Sequence, residues 1–246
     1  MFSRRFPGNV RSKSARKARR RPVRRVTRRA RKASAPAVSG LVDVVVATRN
    51  PGKVAEFVAL LGDFPIQLYS LEAFPQIPPL PEEGSTYTEN AISKALTVAR
   101  LTGRIAIADD SGIEIEALEG VPGAASHRFL GGEASDTTRN NRVLQLLRDV
   151  PAAARGARYR AILAVATPTG GVRTFEGTCE GAILPAPRGS HGFGYDPIFF
   201  VPQFSKSMAQ LPPAVKNRIS HRAHAFAAAK PYLRDLLAVS RANGEV

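Results

Sequence analysis

Tryptophan is absent from the 246-residue sequence, and cysteine occurs once, at Cys179. A single thiol excludes an intrachain disulfide framework and any thiolate-rich metal site. With no local pattern placing a base beside it, Cys179 reads as a structural residue in a strand. No run of about 18 apolar residues occurs, which argues against a membrane-spanning helix, and no secretory hydrophobic segment follows the N-terminal charges. These absences predict a soluble, cytoplasmic protein, unless the N-terminus directs it to an organelle. Acidic residues are missing from positions 1–40, which hold 15 Lys and Arg, so the rest of the chain carries 21 basic against 20 acidic residues. Nearly all of the net charge of +16 therefore belongs to the extension.

That Arg-rich extension, residues 1–40, has few large apolar side chains and no clear period, so burial cannot offset its ordering entropy and it is predicted to be disordered. Three readings of it stand side by side. Clustered Arg can tether a protein to nucleic acid or another anionic surface without a fold. Arg-rich, acid-free segments also serve as organelle-targeting peptides, and the plainest reading is an inert extension upstream of the true start.

What remains, residues 41–246, is expected to form one domain, with a hydrophobic content of 43% for the whole chain that suffices for a core. "LVDVVVA" reads as a buried strand. "NPGKVAEFVALL" reads as a helix with Asn50 as N-cap, Pro51 at the first helical position and an apolar stripe of Val54, Phe57, Val58 and Leu61. A Pro-rich loop leads to a helix announced by the capping box Thr86–Glu89. "RIAIAD" and "GIEIEAL" predict two short strands around an Asp pair, and "DTTRNNRVLQLLRDV" a helix capped by Asp136. The stretch 158–184 reads as a hairpin turning at Pro168–Gly171, and "RAHAFAAAKPYLRDLLAV" as a helix interrupted or kinked near Pro231. Together these predict an α/β fold with a mixed central sheet flanked by helices.

Four polar clusters stand out. In "ATRNPGK" a strand turns tightly into a helix N-terminus, whose free N–H groups and dipole favour an anion, with Lys53 placed to reach a phosphate. A Walker A loop is rejected because the first Gly is missing and Val54 follows the Lys. "PEEGSTYTENAISKA" brings Glu82, Glu83, Glu89, Asn90 and Lys94; any one of these acids alone is an ordinary dipole complement. "ADDSG" delivers Asp109 and Asp110 onto a turn, with Gly112 permitting close backbone approach. Crowded hard oxygen ligands suit Mg²⁺, and a carboxylate not engaged by the ion can act as general base on water. In "GSHGFGYDPIFF" and "KNRISHRAHA", Phe193 is placed to stack on a flat ligand, Asp196 to read its edge, and Lys216, His221 and Arg222 to donate to carbonyl or phosphate oxygens. His221 and His224 lack a third ligand for zinc. His127 and His191 read as ordinary surface or loop residues.

In that order these motifs closely resemble the inosine triphosphate pyrophosphatase, or Ham1-like, family over about residues 42–240. The resemblance implies a two-lobed α/β architecture with a curved sheet, a homodimer, and Mg²⁺-dependent hydrolysis of the non-canonical purine nucleotides ITP, dITP and XTP to monophosphate and pyrophosphate. Residue by residue, Thr48, Arg49, Asn50, Pro51, Gly52 and Lys53 match the triphosphate-binding element, and Lys94 a lysine that assists at the phosphates. Glu82 matches a Mg²⁺ ligand, with Glu83 as the alternative acid. Asp110 matches the catalytic proton acceptor and second metal-associated acid, and Ser111 a substrate contact. Phe193, Gly194, Tyr195, Asp196, Lys216, His221 and Arg222 match the purine-recognition residues. Two departures are visible: Arg49 replaces a common Gly, and "PPAVKN" lacks an acidic pair before the lysine. A house-cleaning enzyme of the septum-formation inhibitor type, and a nucleic-acid-binding protein acting through the basic extension, are the alternative functions.

Overall fold

The computed structural model describes residues 40–242; the basic extension, with the disorder expected of it, lies outside them. The chain runs β1 (Val42–Val46), α1 (Pro51–Leu61), β2 (Ile66–Ser70), α2 (Tyr87–Thr102), β3 (Ile105–Ile115), α3 (Asp136–Leu146), β4 (Gly156–Ala166) and β5 (Val172–Ile183). It closes with β6 (Phe199–Val201), β7 (Lys206–Ser207), α4 (Pro213–Ile219) and α5 (His221–Ala242). The seven strands form one mixed sheet in the order β2-β1-β3-β4-β5-β6-β7, parallel across β2, β1 and β3 and antiparallel thereafter.

Local chemistry accounts for most boundaries. The Asn50 side chain accepts from Lys53 N–H with Pro51 following it, and Thr86 and Glu89 form a reciprocal capping box ahead of α2, as the turn residues predict. At α3 the N-cap is Ser135, whose side chain accepts from Thr138 N–H. Asp136, expected as the cap, is the first helical residue and its carboxylate is free for other work. The β4–β5 hairpin turns through Thr167–Gly171, with Gly170 at φ +95°. Helix α5 runs unbroken through Pro231. The missing N–H costs about 3 kcal/mol, but Pro231 faces outward while Ala229, Leu233 and Leu237 on either side are buried in one core cluster.

The expected break at the Asp pair is also absent. Residues 105–115 form one continuous strand, paired with β4 from Ala106↔Ala166 to Ile115↔Ala157. Side chains alternate along it. Ile105 and Ile107 enter the core beneath α1 and α5, Ala106 and Ala108 enter the core beneath α2, and Ile113 and Ile115 reach a third cluster among α3, α4, β6 and β7. The long strands β3, β4 and β5 thus thread two lobes, one with helices on both faces and one built around the far strand ends.

Candidate functional site

The ladder between β1 and β3 ends where Ala47 N–H donates to Ile107 O at 2.8 Å. Beyond it β1 turns into α1 while β3 continues, so this side of β3 opens into a cavity of about 440 Å³. Asp109 and Asp110 lie on that stretch and project to opposite faces of the sheet, each only 4% exposed. Alternation, rather than a turn, separates the adjacent charges.

On the α5 face, Asp109 Oδ2 accepts from Arg222 Nη2 at 2.8 Å, Arg222 Nε at 3.1 Å and Ser111 Oγ at 2.9 Å, and pairs with Lys53 Nζ at 3.2 Å. Its Oδ1 is buried without a partner among the described residues. Arg222 also pairs with Glu56, which meets Lys216 Nζ at 2.9 Å; Lys216 in turn pairs with Asp196. Three cations and three carboxylates therefore close on themselves. On the α2 face, Lys94 Nζ sits 2.8 Å from Asp110 Oδ1 and 3.0 Å from Glu82 Oε1. One cation here faces two carboxylates, so this group carries an excess negative charge. Asn90 donates to Asp110 Oδ2 at 3.2 Å and accepts from Gly84 N–H at 2.8 Å, tying the Glu82 loop to β3.

These surroundings drive the two acids apart. Burial raises the Asp109 carboxyl, but Arg222, Lys53 and Lys94 outweigh it and hold it far below the carboxylate range. Burial also raises Asp110, and there Lys94 offsets it only in part, so the net shift is upward. For Lys94, burial acts to lower the pKa, yet Asp110 and Glu82 leave it raised; Lys53 is lowered, burial outweighing Asp109. His221 is held well below its ordinary value by burial, with Arg222 and Lys216 adding to the effect, and is neutral at pH 7.

The other end of the cavity is aromatic. Phe193 stands in a turn with Lys216 Nζ 4.6 Å from its ring centroid and the Arg222 guanidinium carbon at 5.8 Å. His221 stacks on Tyr159 with centroids 4.6 Å apart. Asp196, expected to read a ligand edge, already accepts from Phe193 N–H at 3.1 Å and Tyr159 O–H at 3.2 Å besides its pair with Lys216. Helix α5 reaches this place because Gly177 on β5 lets its backbone lie directly against the strand; a Cβ there would strike His221 O and Ala225 N.

Most residues expected from the sequence converge on this one cavity: Thr48, Arg49, Asn50 and Lys53; Glu82, Lys94, Asp110 and Ser111; and Phe193–Asp196 with Lys216, His221 and Arg222. Pro51 and Gly52 are not on its wall. Pro51 has no N–H, the Lys53 N–H is donated to Asn50, and Gly52 lies behind the Phe193 ring, which a Cβ would strike. Arg49 donates to Ile77 O at 2.6 Å and so fastens the Pro-rich loop. Glu83 is exposed and off the wall, whereas Glu82 faces Lys94.

Sequence reasoning missed Glu56, which is 8% exposed while Val58 of the expected apolar stripe is 55% exposed. The periodicity is offset because α1 turns an acid inward to meet Lys216 and Arg222. Also missed were Tyr159, Arg139 and the contact role of Asp136, which no spacing in the sequence signals. His127, read as ordinary surface, lies on the cavity rim.

The Ham1 family model matches residues 44–232. The chain belongs to the Ham1 family. Two curated relatives of this Ham1 chain are dITP/XTP pyrophosphatases: that of Desulforamulus reducens is 46% identical, over 78% of this chain and 96% of its own length, and that of Geobacter sulfurreducens is 47% identical, over 77% and 96%. Among solved structures, a HAM1 protein from Coxiella burnetii superposes with a TM-score of 0.72 at 38% identity, over 79% of this chain and all of the other. The Staphylococcus aureus Ham1 protein gives 0.69 at 35% identity, over 78% and 98%. The expected mixed sheet with flanking helices is thus the Ham1 architecture.

Proposed function

We propose that the protein hydrolyses the non-canonical purine nucleotides ITP, dITP and XTP to monophosphate and pyrophosphate, removing them from the nucleotide pool. The observation that carries this reading is the divergence of two adjacent carboxylates in one cavity, Asp109 held low and Asp110 pushed up. Neighbouring acids driven apart in pKa take different roles. Asp109 is a fixed counter-ion for Arg222 and Lys53; Asp110 is the general base. It takes a proton from a water whose oxygen bonds to the α-phosphorus, and the bond from that phosphorus to the α,β-bridging oxygen breaks. Lys53 and Lys94 offset charge on the departing pyrophosphate, while Thr48, Arg49, Asn50 and Ser111 orient the phosphates.

The residues fit Mg²⁺. The surplus carboxylate lies in the Glu82–Lys94–Asp110 group, its ligands are hard oxygens, and two carboxylates leave the remaining positions to water and phosphate. Glu82 and Asp110 would hold the ion, Asp110 keeping one carboxylate oxygen off it to act as base, and the ion when bound would neutralise phosphate charge and polarise the phosphoryl oxygens.

At the base end, the Phe193 face receives the purine. Lys216 has two of its three N–H groups engaged by Asp196 and Glu56, which leaves one for the 6-oxo oxygen. Adenine would bring an amino group to that donor and leave both unpaired. Gly194, Tyr195, His221 and Arg222 frame this pocket. A homodimer, implied by the family resemblance, belongs to the same proposal and is checked by light scattering.

The test is pyrophosphate release from ITP, dITP, XTP, ATP and GTP with and without Mg²⁺. The expected kcat/KM for ITP exceeds that for ATP by about a hundredfold or more. Equal values would remove the specificity reading, and release that persists undiminished in EDTA would remove the metal.

A further inference from the structure

The turn carrying Phe193 belongs to no helix or strand, yet its backbone is gripped from outside. Gly194 sits at φ +63°, and both of its peptide groups are bound by α3. Its N–H donates to Asp136 Oδ2 at 2.7 Å, and its carbonyl accepts from Asn140 Nδ2 at 3.1 Å. Residues four apart share one face of a helix, so α3 presents an acceptor and a donor together at the spacing of one residue's own N–H and C=O.

The clamp is itself braced. Asp136 Oδ1 meets Arg139 Nη1 at 3.2 Å, and Arg139, which is buried, donates from Nε to Phe129 O at 3.2 Å. One carboxylate oxygen faces the arginine and the other the Gly194 peptide. Asn140 is buried and its Oδ1 has no partner among the described residues. A buried amide oxygen left unpaired is unfavourable, so this amide is held in place by its other end, the bond to Gly194. Neither residue belongs to the phosphate or metal groups described above.

We propose that Asp136 and Asn140 are positioning residues that place the Phe193 ring in the cavity by holding the Gly194 peptide, and thereby set purine affinity. The proposal rests on Phe193 receiving the base. It requires that α3 variants act through Phe193, whereas a merely structural role would weaken the lobe regardless of the residue at 193.

Because the chain has no tryptophan, Phe193→Trp supplies a single indole at the turn. Its fluorescence anisotropy and acrylamide quenching, read without nucleotide or metal, report the clamp directly. Adding Asp136→Ala should lower the anisotropy and raise the quenching constant about twofold or more, and Asp136→Asn, which retains an acceptor oxygen, should restore most of the difference. Asp136 is half-exposed, so its variants are expected to fold; Asn140→Ala is the second arm. Unchanged anisotropy and quenching in both arms overturn the proposal.

Kinetics with ITP supply the coupling. Asp136→Ala should raise KM about tenfold with kcat within about threefold, and in a Phe193→Ala background it should add less than about twofold. Full additivity overturns the clamp. Should Phe193→Ala alone leave KM unchanged, the stacking reading fails, and the fluorescence still decides whether Asp136 and Asn140 fix the turn.

Discussion

Replacing Asp109 and Asp110 by Asn, one at a time, should produce opposite phenotypes from neighbouring residues. Asp109→Asn keeps the shape but removes the carboxylate that contacts both Arg222 and Lys53, two cations with side chains 1% and 19% exposed. Removing one partner of a buried ion pair costs about 3–5 kcal/mol. For a domain of this size each kcal/mol moves Tm by about 2–4 °C, so a fall of about 6–20 °C is expected. Asp110 is the reverse case. Its pKa is raised because burial outweighs Lys94, so its charged form is disfavoured in the folded protein and a neutral amide relieves that penalty. Asp110→Asn also takes one partner from the buried Lys94, which keeps Glu82, so Tm should fall by less than in Asp109→Asn, while pyrophosphate release falls by about 10²–10⁴-fold. Differential scanning calorimetry and a pyrophosphate assay on both variants suffice. An unchanged Tm in Asp109→Asn, or a large fall confined to Asp110→Asn, would refute the assignment of one acid to structure and the other to chemistry.

Acid unfolding should report the same division. Asp109, depressed in the folded state, contributes stability above the ordinary value of 3.8, and that stability is lost as pH falls from there toward its folded pKa. Asp109→Asn should lack this pH-dependent segment in urea titrations. Glu56→Gln removes the carboxylate shared by Lys216 and Arg222, and its urea midpoint should correspond to a loss of about 3 kcal/mol. At β5, Gly177→Ala sets a Cβ against α5 backbone, which no side-chain rotation relieves. It should destabilise by about 3 kcal/mol and raise KM for ITP by displacing His221 and Arg222, measured by calorimetry and steady-state kinetics.

Several features were legible in the chain itself because their causes are local. Asn50 before Pro51, the Thr86–Glu89 capping box and the turn after Ala166 each act within a few residues, and the hydrophobic run of β1 announces a buried strand. The polar motifs were legible as separate pieces, and their order matched a family. What the chain could not disclose is where those pieces meet. Two acids side by side read as a turn, because nothing nearby in sequence neutralises them; their partners, Lys94 and Arg222, come from helices on opposite sides of the sheet. The expected stripe included Val58 and left out Glu56 because an amphipathic period assumes that burial is apolar, whereas Lys216 and Arg222, far away in sequence, make an inward acid favourable. The clamp on Gly194 has no sequence signal at all, since both its hydrogen bonds span more than fifty positions. Local propensity and covalent order determined the elements. Tertiary packing alone decided which charges share a cavity, because electrostatic pairing depends on distance in space, and that distance is fixed only once the sheet has formed.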